Sequence, residues 1–566
     1  MKTRVRELVG QGDALFAERS PLLSLWQEIG DNFHPIRAEF TRTRTPGEEF
    51  AAHLMTGAPV LAHRELTDQF AAMLRPRGKK WFSATVEREE IANNTAAKAW
   101  MEAKCNTMRR IMYDRTAMFT RATKEADGDF AAFGQAAITV EVNGDRNGLL
   151  YRTWHLRDVV WCENALGQID TVHLRWKLPA RSVMKLFPKT HDPKLAELCQ
   201  KNPNQLIEIR RIIIPADEYD FTNTEAARKA ARFPFLSIYV DTVHDTILEE
   251  TPLKRSPFII PRWATVSGSQ YAHSPATVVG LADARLLQRI TLTLIEAGEK
   301  AVNPPMIAAG DMVQGGINTY AGGLTWVDAD YDERTGEALR VLGAEGKGQL
   351  AFGVDMADRY ENLIKRAFYL DQLNMPQTEG DMTATETRVR VEEYMRAALP
   401  LFEPMELEYN GALVEETWNL ALENGAFGNL SDMPDELQGQ EMKWTFESPL
   451  QAAQSRDKAV AFQEAGQLLA MAAQIDPQSA VEIDIRTAFR DALDGAQIPA
   501  KWIVADEVAQ KVRGQAAQEK QMQDAAAQIG AAAQTAGMVG DAASRLQVAG
   551  LVPQAAGLAG VQAAPV

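Results

Sequence analysis

From Ser274 to Val302 the chain is written as one unbroken helix, and only a fold with room for a long rod can hold it. Ser274 suits an N-cap and Pro275 a first helical turn. Val278, Val279, Leu281, Leu286, Leu287, Ile290, Leu294 and Ile295 then recur until Asn303-Pro304-Pro305 ends the run. At 1.5 Å per residue such an element spans about 40 Å. Apolar residues cover much of its circumference, which predicts burial among other helices. A second helix is expected from about Asp355 to Leu373. Between the two lies a Gly-rich stretch, 304–350, with short β pieces such as Leu324–Val327, which reads as an insertion.

The flanks have their own patterns. Up to about residue 135 the spacing predicts helices, over 51–75, 93–114 and 116–133 among others. Gly10-Gln-Gly12 lies inside the first helical pattern and reads as an interruption of it. Residues 135–142 and 149–156 alternate around an Asn143–Gly148 turn, which predicts a hairpin. Further strands are expected over 169–178, 205–214, 234–240 and 243–250, the last beginning at Val243-His-Asp245, with helix over 179–200. The stretch 251–263 is proline-punctuated and extended. After Leu373 comes a polar, helix-breaking loop from Asn374 to Asp381. Thr383-Ala-Thr-Glu386 is a capping box that opens a long helix to about Glu423, with kinks expected at Pro400 or Pro404. Helices follow over 449–474 and 478–493, and from about Ala505 an Ala/Gln-rich segment predicts a polar helix and then a mobile tail.

Several function classes lose support. Net charge is −16, a poor basis for holding DNA by phosphate neutralisation, though it suits a surface that DNA slides past. Three cysteines without a CxxC spacing give neither a disulfide framework nor a zinc pattern. No GxxxxGK[ST] loop, HExxH pair or GxSxG elbow occurs, so the chain reads as a non-enzyme without cofactor or metal. No apolar run is long enough for a membrane span, and the start of the chain is polar, unlike a signal core. His155 and His173 fall on adjoining strands, and packing explains them better than catalysis. Trp154, Trp161, Trp176 and Trp263 read as core anchors rather than a base-stacking platform.

Particular stretches resemble a known family. Phe130-Ala-Ala-Phe133-Gly134 leads into a hairpin and Tyr151-Arg-Thr-Trp-His155, followed by Asp158-Val-Val-Trp161-Cys-Glu163 and a Gly167 turn. Met382-Thr-Ala-Thr-Glu386-Thr-Arg388 with Glu392-Glu393 follows the polar loop. In this order they resemble the portal, or head-to-tail connector, proteins of short-tailed, T7-like double-stranded DNA phages. The resemblance implies an α+β, mainly helical fold that assembles as a ring of twelve. Its parts would be a wing (1–270), a stem helix (271–302), a clip (303–352) and a return stem helix (353–373). A tunnel loop (374–382), a kinked wing helix (383–430), a crown (431–504) and a C-terminal helix with a flexible tail (505–566) would complete it.

By the same resemblance Lys365, Arg366, Asn374, Met375, Gln377, Thr378 and Glu379 would face a DNA channel. The implied partners are a packaging terminase, then tail adaptors, major capsid and scaffolding proteins, internal core proteins, and the double-stranded DNA itself. The implied location is the portal vertex of the virion, after synthesis in the host cytoplasm. The residues alone leave a second reading open, a cytoplasmic helical scaffold with no DNA function.

Overall fold

The computed structural model describes residues 2–92, 94–144, 148–188, 193–219, 232–302, 306–308, 313–314, 326–327, 339–341, 347–373, 405–446, 449–475, 484–496, 498, 502–504 and 508–524. It separates into two compact units. One holds Met1–Thr85, Ala103–Asp432 and Met442–Ala496; the other holds Val86–Glu102, Met433–Glu441 and Gln497–Val566. In the smaller unit a helix runs over 508–524, exposed at every position but Ala509, and Asn94 bonds Glu436 at 2.7 Å.

The larger unit is α+β and mainly helical, as expected. Its centre is the helix Phe119–Phe133, buried along almost its whole length from Ala126 to Phe133. That burial includes two carboxylates, Asp127 and Asp129, and a buried charge persists only when paired and hydrogen-bonded. Both carboxylate oxygens of Asp127 accept from Arg75 Nη2, and Asp127 also accepts the Tyr409 hydroxyl at 2.8 Å, while Arg75 Nη1 donates to Asn410 at 2.8 Å. Asp129 is held bidentately by Arg37, at 2.9 and 2.6 Å. Burial pulls Arg75 toward neutrality, but the Asp127 charge beside it more than reverses this, so the guanidinium stays protonated. Gly128, between the two acids, leaves room for the His34 ring: a Cβ there would stand 3.0 Å from His34 Nε2. His63 donates its Nε2–H to the Gly128 carbonyl at 2.9 Å and lies 4.6 Å from the His34 ring.

Two antiparallel sheets follow, the first packed on this helix. The predicted hairpin exists, Ala137–Val142 against Leu149–Trp154, and Phe258–Ile259 from the extended proline-rich stretch adds a third strand. The second sheet is a five-strand meander of Val159–Glu163, Ile169–Pro179, Leu206–Pro215, Phe235–Asp241 and Thr246–Leu253. Val243-His-Asp245 does not begin the last strand. It forms a turn, because Asp241 accepts from the Val243 amide at 2.8 Å and from His244 Nδ1 at 2.7 Å, and Asp245 takes a φ of 54°. The helix expected over 179–200 is two, Ala180–Leu186 and Pro193–Lys201.

Gly10 and Gly12 do not interrupt the first helix, which runs from Lys2 to Glu18. Gly12 is needed for closeness, since a Cβ there would lie 2.5 Å from His173 Nδ1. Gly134 ends the central helix at φ +76°, and a Cβ on it would strike the backbone of His273 and Ser274 at 2.7 Å. It therefore sets where the chain enters the long helix that follows. The Pro400 and Pro404 kink sites, the capping box and the tail from 525 onward lie outside the described residues.

Burial holds four imidazoles neutral: His34, His63 and His173 down at about 3, and His155 at about 4. The unfolded chain takes up these protons near pH 6.5, while the folded chain refuses them until far lower. Stability should therefore fall as pH drops from 6.5 toward 4, by on the order of 1 kcal/mol per histidine per pH unit. Thermal melts at pH 7.5, 6 and 5 check this, with a steep loss of Tm expected below 6.5 and little change above it.

Candidate functional site

The long helix begins as the sequence predicts. Ser274 Oγ accepts from the Thr277 amide at 3.1 Å and donates to the Ala132 carbonyl at 2.6 Å, which pins the start to the central helix. The first turn, Ala276–Gly280, is π-helical, and the α-helix proper runs Leu281–Val302. The return helix is Lys347–Ala367, so it starts earlier than expected and stops short of Leu373. Tyr369 breaks it with a φ of 58°, and a short turn of helix, Leu370–Leu373, follows. Two close approaches set the pairing of these helices. A Cβ on Gly353 would come within 2.6 Å of Leu294, and one on Gly280 within 3.2 Å of Phe368. The pair is therefore an antiparallel hairpin. Its root is anchored by Phe368 against Phe33 at 5.1 Å and by Tyr369 stacked on Trp263 at 6.2 Å.

Polar ties hold the hairpin to the body. Arg285 forms a two-bond fork with Glu28, at 2.5 Å each. Gln288 accepts from the Met55 and Thr56 amides at 2.7 and 3.0 Å and donates to the Thr56 carbonyl at 2.9 Å. Neither contact was visible in the sequence, because a lone Arg or Gln on a helix carries no sign of its partner.

The expectation that the long helix is buried among other helices holds only near its root. Leu281, Ala284 and Leu287 are buried, but Val278, Val279, Leu286, Leu292, Ile295 and Val302 face outward, at 40–88% exposure. Charge on the hairpin is close to balanced, at +1. Six acids, Asp283, Glu296, Glu299, Asp355, Asp358 and Glu361, stand against seven bases, Arg285, Arg289, Lys300, Lys347, Arg359, Lys365 and Arg366. The chain's net −16 therefore resides elsewhere.

Lys365 and Arg366 are both exposed near the root of the hairpin, and Arg366 lies a loose 3.9 Å from Asp371. Asn374, Met375, Gln377, Thr378 and Glu379 lie outside the described residues. Of the Gly-rich insertion, two short antiparallel pairs are described: Met306–Ala308 with Leu339–Val341, and Val313–Gln314 with Trp326–Val327. The second pair nests inside the first along the chain, as a single folded-back finger would require.

The residues weighed for chemistry have structural partners. His155 accepts from the Arg157 amide at 3.1 Å and donates to the Arg37 carbonyl at 3.1 Å, whereas His173 lies against Gly12. Trp161 packs on Tyr271 at 4.9 Å, and Trp263 on Phe70 and Phe130 at 5.5 and 5.2 Å. Trp154 meets Trp176 edge-on at 5.3 Å, with Arg152 over both rings. Among the described residues no group of three or more His, Cys, Asp or Glu could hold a metal, and no helix is long and apolar enough to cross a membrane.

Comparison with known proteins decides what such a hairpin belongs to. The model of the family described as bacteriophage head to tail connecting protein matches residues 6–504. The chain belongs to this family. Two relatives match along nearly their whole length. One is the probable portal protein of Bordetella phage BPP-1, 25% identical over 95% of this chain and 96% of that protein. The other is the portal protein of Salmonella phage epsilon15, 20% identical over 94% and 95%. As a head-to-tail connecting protein the chain is a structural part of the junction between a phage head and its tail, and the long hairpin is its most distinctive element.

Gln288 is the residue whose loss separates the hairpin from the body most cleanly. Gln288→Ala removes three hydrogen bonds to residues 55–56 and should cost about 1–3 kcal/mol. Amide hydrogen exchange should quicken over 41–57 and 281–290 but stay unchanged at the buried core of 126–133.

Proposed function

We propose that twelve copies of the chain form a ring whose hairpins enclose a channel for double-stranded DNA, entered during packaging and left during ejection. The exposed apolar residues of Leu281–Val302, namely Leu286, Leu292, Ile295 and Val302, carry this reading. Large apolar side chains left facing water on more than one side of a helix mark surfaces that seek cover, and neighbouring copies of the same hairpin on either side offer it. The near-balanced charge of the two helices supports a passive wall. It lacks the run of Lys and Arg that grips phosphates and makes DNA binding tight.

On this reading the finger over 303–352 points away from the body and meets a packaging terminase first and tail adaptors later. The wing meets the major capsid and scaffolding proteins, and internal core proteins sit on the crown side. Lys365 and Arg366 give weak phosphate contacts, and residues 374–382, with Asn374, Met375, Gln377, Thr378 and Glu379, project into the bore and retain DNA. The motor activity belongs to the terminase, and this chain works without a cofactor and without catalysis. It acts at the portal vertex of the virion after synthesis in the host cytoplasm.

Mass measurement of the purified chain tests the ring, with a single closed species near twelve subunits expected and a stable monomer as the contrary result. Deleting 375–380 should leave that species intact while sharply lowering the yield of DNA-filled heads. Normal packaging by the deletion variant would remove the loop from the account.

A further inference from the structure

The crown carries a surface that the channel reading does not use. Helices Pro449–Ile475 and Ile485–Gly495 pack side by side and leave an apolar groove of about 530 Å³ between them. Ala459, Phe462, Gly466 and Ala470 line it from one helix, Ala492 and Leu493 from the other. A Cβ on Gly466 would meet nothing within 4 Å, so the groove is open at its middle. Phe489, 5.6 Å from Phe462, stays 49% exposed at its mouth.

The same hairpin carries a complementary knob. Leu468 is 66% exposed. A helix turns about 100° per residue, so Leu468, two positions past Gly466, projects from roughly the opposite side. Groove and knob therefore cannot meet within one chain. Charge follows the same division. Exposed Glu464 flanks the knob, one turn before Leu468, whereas Arg486 and Arg490 run along the flank of the second helix that leads to groove residue Leu493. A surface with a hole on one side and a matching knob on the other associates head to tail, and head-to-tail contacts close into rings.

We propose that the crown groove is a docking site for a second copy of this chain: Leu468 of one copy enters the groove of the next, with Glu464 beside Arg490. This rests on the ring reading and adds the contact that sets its direction.

The test uses the full chain with Cys162→Ser and Cys199→Ser as background, carrying Gly466→Cys and Leu468→Cys together or singly. A short bis-maleimide joins cysteines that come close. The double variant should give a ladder of linked chains, trimers and above, at least tenfold more abundant than multimers from either single variant. Two results overturn the docking. One is strong dimer formation by Leu468→Cys alone, which means like faces meet. The other is monomer only from the double variant. Mass measurement on the same samples separates the readings, since a closed ring without the ladder removes only this contact, while no ring and no ladder removes both. Should the cysteine pair disturb folding, Leu468→Glu in the unmodified chain is read instead. Loss of the closed species at a protein concentration where the parent retains it supports the contact, and retention overturns it.

Discussion

The ion pair between Arg75 and Asp127, sealed by Tyr409, is the constraint on which the rest of the structure depends. It joins the end of one helix, the middle of the central helix and a π-helical turn far along the chain. A buried pair of this kind is weak evidence for net stability, because desolvation offsets much of the attraction. Its value is specificity. Any arrangement that separates the partners leaves a charge stranded in an apolar core, at a cost of about 3–5 kcal/mol. Asp129 with Arg37 repeats the device two residues later, so the central helix can neither rotate nor slide.

That fixed helix carries the rest outward. Its end at Gly134 touches the backbone of His273 and Ser274, and Ser274 in turn caps the hairpin that the family comparison marks as central. Further along, Glu28 and Thr56 grip the same hairpin from the side through Arg285 and Gln288. The hairpin is thus rigid at its root and carries exposed apolar side chains along its length. A rod held firmly at one end, with sides that seek cover, suits assembly by lateral repetition better than it suits any chemistry.

The parts that were readable in the sequence depend on local patterns. Alternation around Asn143–Gly148 announced the first sheet, and Ser274-Pro275 with Asn303-Pro304 bracketed the long helix. What escaped was set by distance along the chain. Asp127 finds partners at 75 and 409, which no local spacing encodes. The strands Phe82–Val86 and Met442–Phe446 pair with each other and give little sign in either stretch alone. Gly12 resembles a helix breaker, yet it is there because His173 presses on it. The end of the return helix was misplaced because Tyr369, a residue that rarely takes positive φ, makes the break. Lys365 and Arg366, the two basic residues expected at a channel, are both exposed.

A three-dimensional electron-microscopy reconstruction of the purified assembly tests the central claim most directly. The account predicts a closed ring with Leu281–Val302 and Lys347–Ala367 forming its inner wall, and Leu292 and Ile295 covered by the neighbouring copy. A ring with these helices on its outer rim, or with Leu292 and Ile295 still open to solvent, would contradict it.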